Sequence, residues 1–284
     1  MKVLILGGTG FVGTHLKTHL SQKGHHVTAL GRKAFETGFD LTNKVNGQDV
    51  VIMLAGENIG KRWSESYKKV LLDSRIVTSQ KLKLAIEQSE HKPKRILAAS
   101  AIGIYPENDC QHLIDENTNI YGDNFLAELG KAWEEQNNQL NPKPVTMRFG
   151  VVLGKEGGAL AKMLLPFKLG LGGPVAGGKQ CFSWIHHQDL VRAIEYLMLN
   201  EELEGAFNLT APKPLSNYDF GQALATVLSR PYLIPLPLWQ LKLMFGEGAR
   251  VLTHSSAIMP KRLIDQGFEF KFTDAKQALT DILK

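Results

Sequence analysis

Met1-Lys-Val-Leu-Ile-Leu-Gly-Gly-Thr-Gly-Phe-Val-Gly13 is the stretch that decides how the rest of the chain is read. Val3 to Leu6 is an unbroken apolar run, the pattern of a strand buried on both faces of a parallel sheet. Gly7, Gly10 and Gly13 follow at once, and an amphipathic pattern carried by Phe11, Leu16 and Leu20 continues to Gly24. Strand, glycine turn and helix in that order form a dinucleotide fingerprint. Gly7 makes the tight turn, Gly10 lets backbone N–H groups close on a pyrophosphate, and Gly13 lets helix and strand pack closely. The diphosphate would rest at the positive end of the helix.

The second strand, His26 to Leu30, ends in Gly31-Arg32-Lys33. A site for NAD(H) usually carries Asp or Glu here, on the ribose 2′-hydroxyl. A carboxylate would repel a 2′-phosphate, whereas Arg32, with Lys33 beside it, would attract one, so the expected cofactor is NADP(H). Phe39-Asp40-Leu41 reads as a short third strand that places Asp40 against the adenine. Asp49 to Leu54 is the fourth apolar run and opens into Ala55-Gly56-Glu57-Asn58. Small residues there let a cofactor pass closely, and Glu57 and Asn58 are the expected polar contacts at the cleft mouth.

Further along, Ser64 to about Glu90 is one long helical pattern, with Tyr67, Val70, Leu71, Ser74, Thr78, Leu82 and Ala85 on one face. Arg95 to Ala99 is a strand leading into Ser100 and Tyr105. Phe125 to Leu140 is helical, and Asn141-Pro-Lys-Pro144 breaks it before a strand from Val145 to Val152. A glycine-rich stretch from Gly154 to Gly178 surrounds a short helix, and Ser183 to Asp189 leads into a helix ending near Asn200. Ala206 to Leu209 is a strand, Ser216 with Asp219 opens a helix to about Ser229, and a last helix opens at Thr273. The alternation predicts an α/β, doubly wound parallel sheet of the Rossmann kind with a small, mostly helical C-terminal lobe. Residues 1–154 and 183–210 form the expected NADP-binding domain, and 155–182 and 211–284 the lobe that covers its cleft.

The 284 residues are 43% hydrophobic and 21% charged, which excludes a disordered chain. No apolar run is long enough to span a bilayer, and the N-terminus enters a strand directly, so a cytoplasmic protein without a membrane partner is expected. The net charge of +5 is spread along the chain and points to no nucleic acid. Cys110 and Cys181 lie far apart and suggest neither a disulfide framework nor a metal site.

Beyond the glycine loop, Leu54-Ala-Gly-Glu-Asn-Ile59, Arg62-Trp63, Asp73-Ser-Arg75 and Arg148-Phe-Gly-Val-Val-Leu-Gly154 carry a resemblance. So do Leu169-Gly-Leu-Gly-Gly-Pro174, Ser183-Trp-Ile-His186, Phe207-Asn-Leu-Thr-Ala-Pro212 and Pro260-Lys-Arg-Leu263. The chain resembles the extended short-chain dehydrogenase/reductases, and within them the epimerase-family, cell-division-inhibitor-like proteins. The resemblance implies NADP(H) held by Thr9, Gly10, Phe11 and Val12 on the phosphates and Arg32 on the 2′-phosphate. It further implies Leu54, Ala55 and Arg75 along the adenosine side and Gly150, Val151 and Val152 near the nicotinamide.

The usual chemistry of that superfamily uses a tyrosine and, one helical turn later, a lysine. None of the six tyrosines has a lysine four positions on. With Glu134 aligned to the glutamate that often follows the motif, Leu126 and Gly130 stand in the two slots. The remaining candidates for a general acid are Tyr105, Glu57, Ser100 and His186. Ser100 lacks the Gly-x-Ser-x-Gly elbow of a hydrolase. His186 and His187 are adjacent, so they make poor joint metal ligands, and no metal is expected. Trp63, Trp184 and Tyr105 serve either packing or the substrate. Two functions fit these residues: an NADP(H)-dependent oxidoreductase or epimerase on a small polar, sugar-nucleotide-like substrate, or a non-catalytic NADP(H) sensor. A homodimer is compatible with either.

Overall fold

The computed structural model describes residues 1–284. One sheet of six parallel strands runs through it. β1 (Lys2–Leu6), β2 (His26–Leu30), β3 (Val50–Met53), β4 (Arg95–Ala101) and β5 (Val145–Phe149) are joined by β9 (Ala206–Leu209), after three short strands elsewhere. The spatial order is β2-β1-β3-β4-β5-β9. Val3 and Ile5 pack with Leu16, Leu190 and Ile194 on one face, whereas Leu4 and Leu6 pack with Leu41, Leu82 and Ile86 on the other. Helices thus cover both sides, which is why the first strand is apolar throughout rather than alternating. α1 (Phe11–Gln22) and α6 (His187–Leu199) lie on the first face. α2 (Leu41–Val45) and α3 (Glu65–Gln88) lie on the second, and α4 (Phe125–Asn137) packs beside α3.

From β1 the chain moves to β2 on one side and returns to β3 on the other, so the strand order reverses at β1. A cleft opens at the carboxyl ends of the strands at such a point. Leu6 stands opposite both Leu30 and Met53, so Gly7, Gly31 and Leu54 emerge on one rim.

Two expected strands differ. Phe39-Asp40-Leu41 is not a strand: the Asp40 carboxylate accepts from Asn43 N at 2.9 Å and caps α2, so it is committed to that helix rather than to an adenine. The expected strand Val145–Val152 breaks at Gly150. β6 (Val151–Leu153) leaves the main sheet and pairs with β8 (Trp184–His186). On α3 the buried stripe runs through Leu71, Arg75, Ser79, Leu82 and Ile86, and Val70 faces outward.

A second core gathers Leu160, Trp184, Phe220, Phe272 and Leu279. It is built by α5 (Gly158–Lys168), α7 (Asn217–Leu228), α11 (Ala275–Leu283) and the pair β7 (Cys181–Phe182) with β10 (Leu215–Ser216). The expected start of α7 is present, with Ser216 Oγ accepting from Asp219 N at 3.0 Å. α8 (Leu238–Phe245), α9 (Arg250–Thr253) and α10 (Lys261–Asp265) complete the chain, and Leu263 and Phe268 pack back into the main core. No helix is long and apolar enough to cross a membrane.

Cys110 and Cys181 form a disulfide, contrary to the reading of two unrelated cysteines. Both flank Ser255: Asn108 N donates to its carbonyl and Cys181 N to its hydroxyl, each at 2.8 Å. The segment around Ser255 thus brings together residues 71 apart in the chain, with Cα atoms 5.2 Å from one another.

Candidate dinucleotide site

The loop from Gly7 to Gly13 is shaped by contacts that leave no room for side chains. Gly7 has φ +88°, and a Cβ there would lie 2.8 Å from Ala55 N. A Cβ on Gly13 would lie 2.5 Å from Gly7 O, a backbone atom that cannot give way. Thr9 and Gly10 are exposed, Phe11 and Val12 half-buried. No side chain caps α1 and no acidic residue stands in its first turn. The helix therefore offers uncapped N–H groups and a positive end to an anion from solvent. Leu54, whose N–H donates to Leu6 O at 2.7 Å, and the buried Ala55 form the adjoining wall. These features fit a dinucleotide diphosphate.

Arg32 begins a short turn at the end of β2 and is 81% exposed. Its guanidinium donates to Glu57 Oε2 at 2.7 Å, and Lys61 reaches the other carboxylate oxygen at 3.1 Å. Burial works against ionisation of Glu57. The Asn58 N–H and the two cations outweigh it and hold the carboxyl below its usual range. Glu57 is thus a carboxylate locked between cations, unsuited to donating a proton.

The rest of this loop is tied down. Asn58 Oδ1 accepts from Gly60 N at 2.8 Å, and Asn58 O accepts from Tyr67 OH at 2.6 Å. Lys162 of α5 crosses from the lobe to donate to Gly60 O at 2.8 Å. Trp63 is buried, donates to Ile59 O at 2.9 Å and meets Phe125 edge-on, so it packs rather than lining a substrate space. Arg75 supports the loop from behind. It is buried over the Trp133 ring, donates to Leu71 O at 2.9 Å and Glu57 O at 3.3 Å, and has no carboxylate partner. Burial pulls its pKa down to about 10.

At the ends of β4, β5 and β9, Ser100, Arg148 and Asn208 stand in one row of the sheet. Ser100 Oγ donates to Glu134 Oε1 at 2.6 Å. Arg148 grips both Glu134 oxygens at 2.8 Å and donates at 2.8 Å to Tyr105 OH. Tyr105 in turn donates to Asn208 Oδ1 at 2.9 Å. Tyr105 is fully buried, and burial pushes its pKa up even against Arg148. Burial disfavours charge on Arg148, but the Glu134 carboxylate more than offsets this and its pKa is raised. Tyr105 and Ser100 are therefore members of a closed network, each with its proton already given. Arg148 and Asn208 stand in the sequence only as parts of family-like stretches with no site role, although an arginine inside an apolar strand signals a buried partner.

His186 does not line the cleft. It is fully buried, caps α6 by accepting from Gln188 N at 3.0 Å, and stacks on Phe272 at 3.9 Å between ring centres. Burial lowers its pKa to about 3. Asp281 Oδ2 lies 3.3 Å away and would favour the charged ring, but that carboxylate is partly solvated and Nε2 makes no hydrogen bond. Burial wins. Trp184, also fully buried, belongs to the lobe core and not to a substrate wall. Gly150, Val151 and Val152 are half-buried at the turn out of β5, one strand from Ser100. Leu126 and Gly130 of α4 pack against Gly103 and Ile104, so no tyrosine or lysine fills those slots.

The model of the NAD dependent epimerase/dehydratase family matches residues 3–210, and that of a domain of unknown function (DUF1731) matches residues 236–282. An epimerase family protein of Staphylococcus epidermidis is 36% identical over 300 residues, covering 100% of this chain and 99% of the relative. Epimerase family protein YfhF of Bacillus subtilis is 34% identical, covering 100% and 98%. The crystal structure of human epimerase family protein SDR39U1 (isoform 2) with NADPH is 33% identical, covers 99% of both chains and superposes with a TM-score of 0.89. A nucleoside-diphosphate sugar epimerase from Corynebacterium glutamicum is 27% identical with a TM-score of 0.80; the match covers 100% of this chain and 58% of that one. The chain belongs to the NAD dependent epimerase/dehydratase family.

Proposed function

We propose that this epimerase-family chain binds NADP(H) and acts as an oxidoreductase or epimerase on a small polar, sugar-nucleotide-like substrate, without a Tyr-Lys pair. The observation that carries the cofactor half is the exposed Arg32 at the end of β2, beside an uncapped helix N-terminus. Thr9 to Val12 would hold the diphosphate, Arg32 the 2′-phosphate, and Gly150 to Val152 would border the nicotinamide. The bound nicotinamide would supply or accept hydride. The chain's own part is to place the substrate between the loop from Glu57 to Gly60 and α5, where Lys162 already spans the two.

A second reading, a cofactor-state sensor, is favoured by one feature. Each candidate acid is already engaged: Tyr105 and Ser100 in the buried network, His186 in a helix cap, and Glu57 between two cations. One experiment separates the two. NADPH-loaded protein is offered a panel of nucleotide sugars and simple carbonyls while absorbance at the reduced nicotinamide band is followed. Steady cofactor oxidation supports the enzyme. Saturable NADPH binding with no oxidation supports the sensor, and no NADPH binding overturns both.

A further inference from the structure

The lobe carries an apolar surface that the cofactor site does not use. Leu165 and Leu169 at the end of α5, Leu233 before α8, and Trp239, Leu243 and Met244 on α8 are all exposed. The segments that carry them are held together where residues 230–236 bond to residues 168–174. Leu233 N donates to Gly172 O at 2.9 Å, Leu236 N to Pro174 O at 3.0 Å, and Arg230 Nε to Lys168 O at 2.8 Å. α8 follows Leu236 directly, and of its eight residues only Leu241 is buried. Single exposed leucines need no explanation, but a gathered apolar face marks an interaction surface.

Its own segments carry cations. Residues 157–182 and 228–246 contain Lys162, Lys168, Lys179, Arg230 and Lys242 and no Asp or Glu; of the glutamates that flank them, Glu247 is paired with Lys68 and Glu156 lies beside His15. Apart from Lys162, which is tied to Gly60 O, these cations have no carboxylate or loop of the cleft to serve, and all are exposed. A second copy docked through this face by a two-fold axis would bring both cation sets together, which repels. A surface that is apolar below and anionic above satisfies both halves, and Trp with Leu beside Lys is the composition of helices lying in a bilayer interface. We propose that this face seats the protein peripherally on an anionic lipid bilayer. The lack of a spanning run in the sequence does not bear on this, since the face is assembled from separated segments.

Intrinsic fluorescence tests it. Trp239 is 65% exposed, whereas Trp63, Trp133 and Trp184 are 5%, 6% and 0%, so a change of environment at this face dominates the emission response. The full chain is mixed with vesicles of phosphatidylcholine, with and without about a third phosphatidylglycerol. The expected result is a blue shift, quenching by brominated acyl chains and co-sedimentation, all confined to anionic vesicles and weakened by salt. Lys242→Gln should weaken binding roughly fivefold and Leu243→Glu at least about tenfold, with NADPH binding unchanged. Unchanged emission and sedimentation at low salt would overturn the proposal, as would equal binding to neutral vesicles. So would a dimer in solution that Leu243→Glu dissociates, which would give the face to a second copy.

Discussion

The Arg32 guanidinium and the Glu57 carboxylate meet at 2.7 Å across the ends of β2 and β3, where a 2′-phosphate would bind. The pair is solvent-exposed on the arginine side, so it is worth about 1 kcal/mol or less. A phosphate brings more charge and can take the guanidinium from Glu57. Arg32→Ala should weaken NADPH binding by about tenfold to a hundredfold, the worth of one charge-assisted bond, and leave NADH binding nearly unchanged. Glu57→Gln should tighten NADPH binding about two- to fivefold by removing the competitor. Calorimetric titration of both cofactors into the three proteins decides it. Equal loss of NADPH and NADH in the arginine variant would sink the idea.

Tyr105 is a structural residue, and Tyr105→Phe isolates its hydroxyl. The change leaves Arg148 Nη1 and Asn208 Oδ1 without their partner in a buried site. The expected cost is about 1–3 kcal/mol of stability, read as a lower Tm, with NADPH affinity retained. Arg148→Leu strands the buried Glu134 carboxylate and should cost more, about 3–5 kcal/mol. If Tyr105→Phe keeps its Tm but loses all turnover, the hydroxyl reaches substrate after all.

His186 makes stability depend on acidity. Its folded pKa of about 3 lies below the 6.5 of the unfolded chain, so the unfolded state binds more protons between those values. Stability is full above pH 6.5 and falls as pH drops toward 3, by an amount on the order of a few kcal/mol. His187, lowered by burial beside it, adds in the same direction. Denaturant midpoints measured from pH 7 to 4 should decline. His186→Asn, which can still accept from Gln188 N, should flatten the decline; an unchanged slope would remove His186 as its cause.

Conventional reductase turnover should be slow or absent. Leu126 and Gly130 occupy the slots of the Tyr-Lys pair, so nucleotide sugars should be reduced far more slowly than the roughly 10 per second of an ordinary enzyme. Restoring the pair is also blocked by packing: a Cβ on Gly130 would lie 3.0 Å from Ile104 Cβ. Leu126→Tyr with Gly130→Lys should therefore lower Tm before it raises any rate. A rate near 10 per second in the unaltered protein would mean that another group carries the proton.

Local pattern determined much of this protein. The apolar run to Leu6, the glycines to Gly13 and the alternation that follows specify the sheet, the turn and the cofactor cleft, because each depends on neighbours within one turn or strand. Arg32 is legible for the same reason, being fixed by its distance from the end of β2. Ser216 as the cap of α7 follows from a spacing of three. The missing Tyr-Lys pair is likewise a matter of spacing along one helix.

Tertiary structure decided the rest. Ser100, Arg148 and Asn208 are neighbours only because β4, β5 and β9 align in register, and that alignment turned Tyr105 from a candidate acid into a buried strut. His186 looked like a cleft residue until α11 and Phe272 covered it. Cys110 and Cys181 meet because both segments fold onto Ser255. The exposed apolar residues of α5 and α8 are brought near one another only because the loop after α5 bonds to the loop before α8. Burial and register are sums over distant parts of the chain, and no local spacing encodes them.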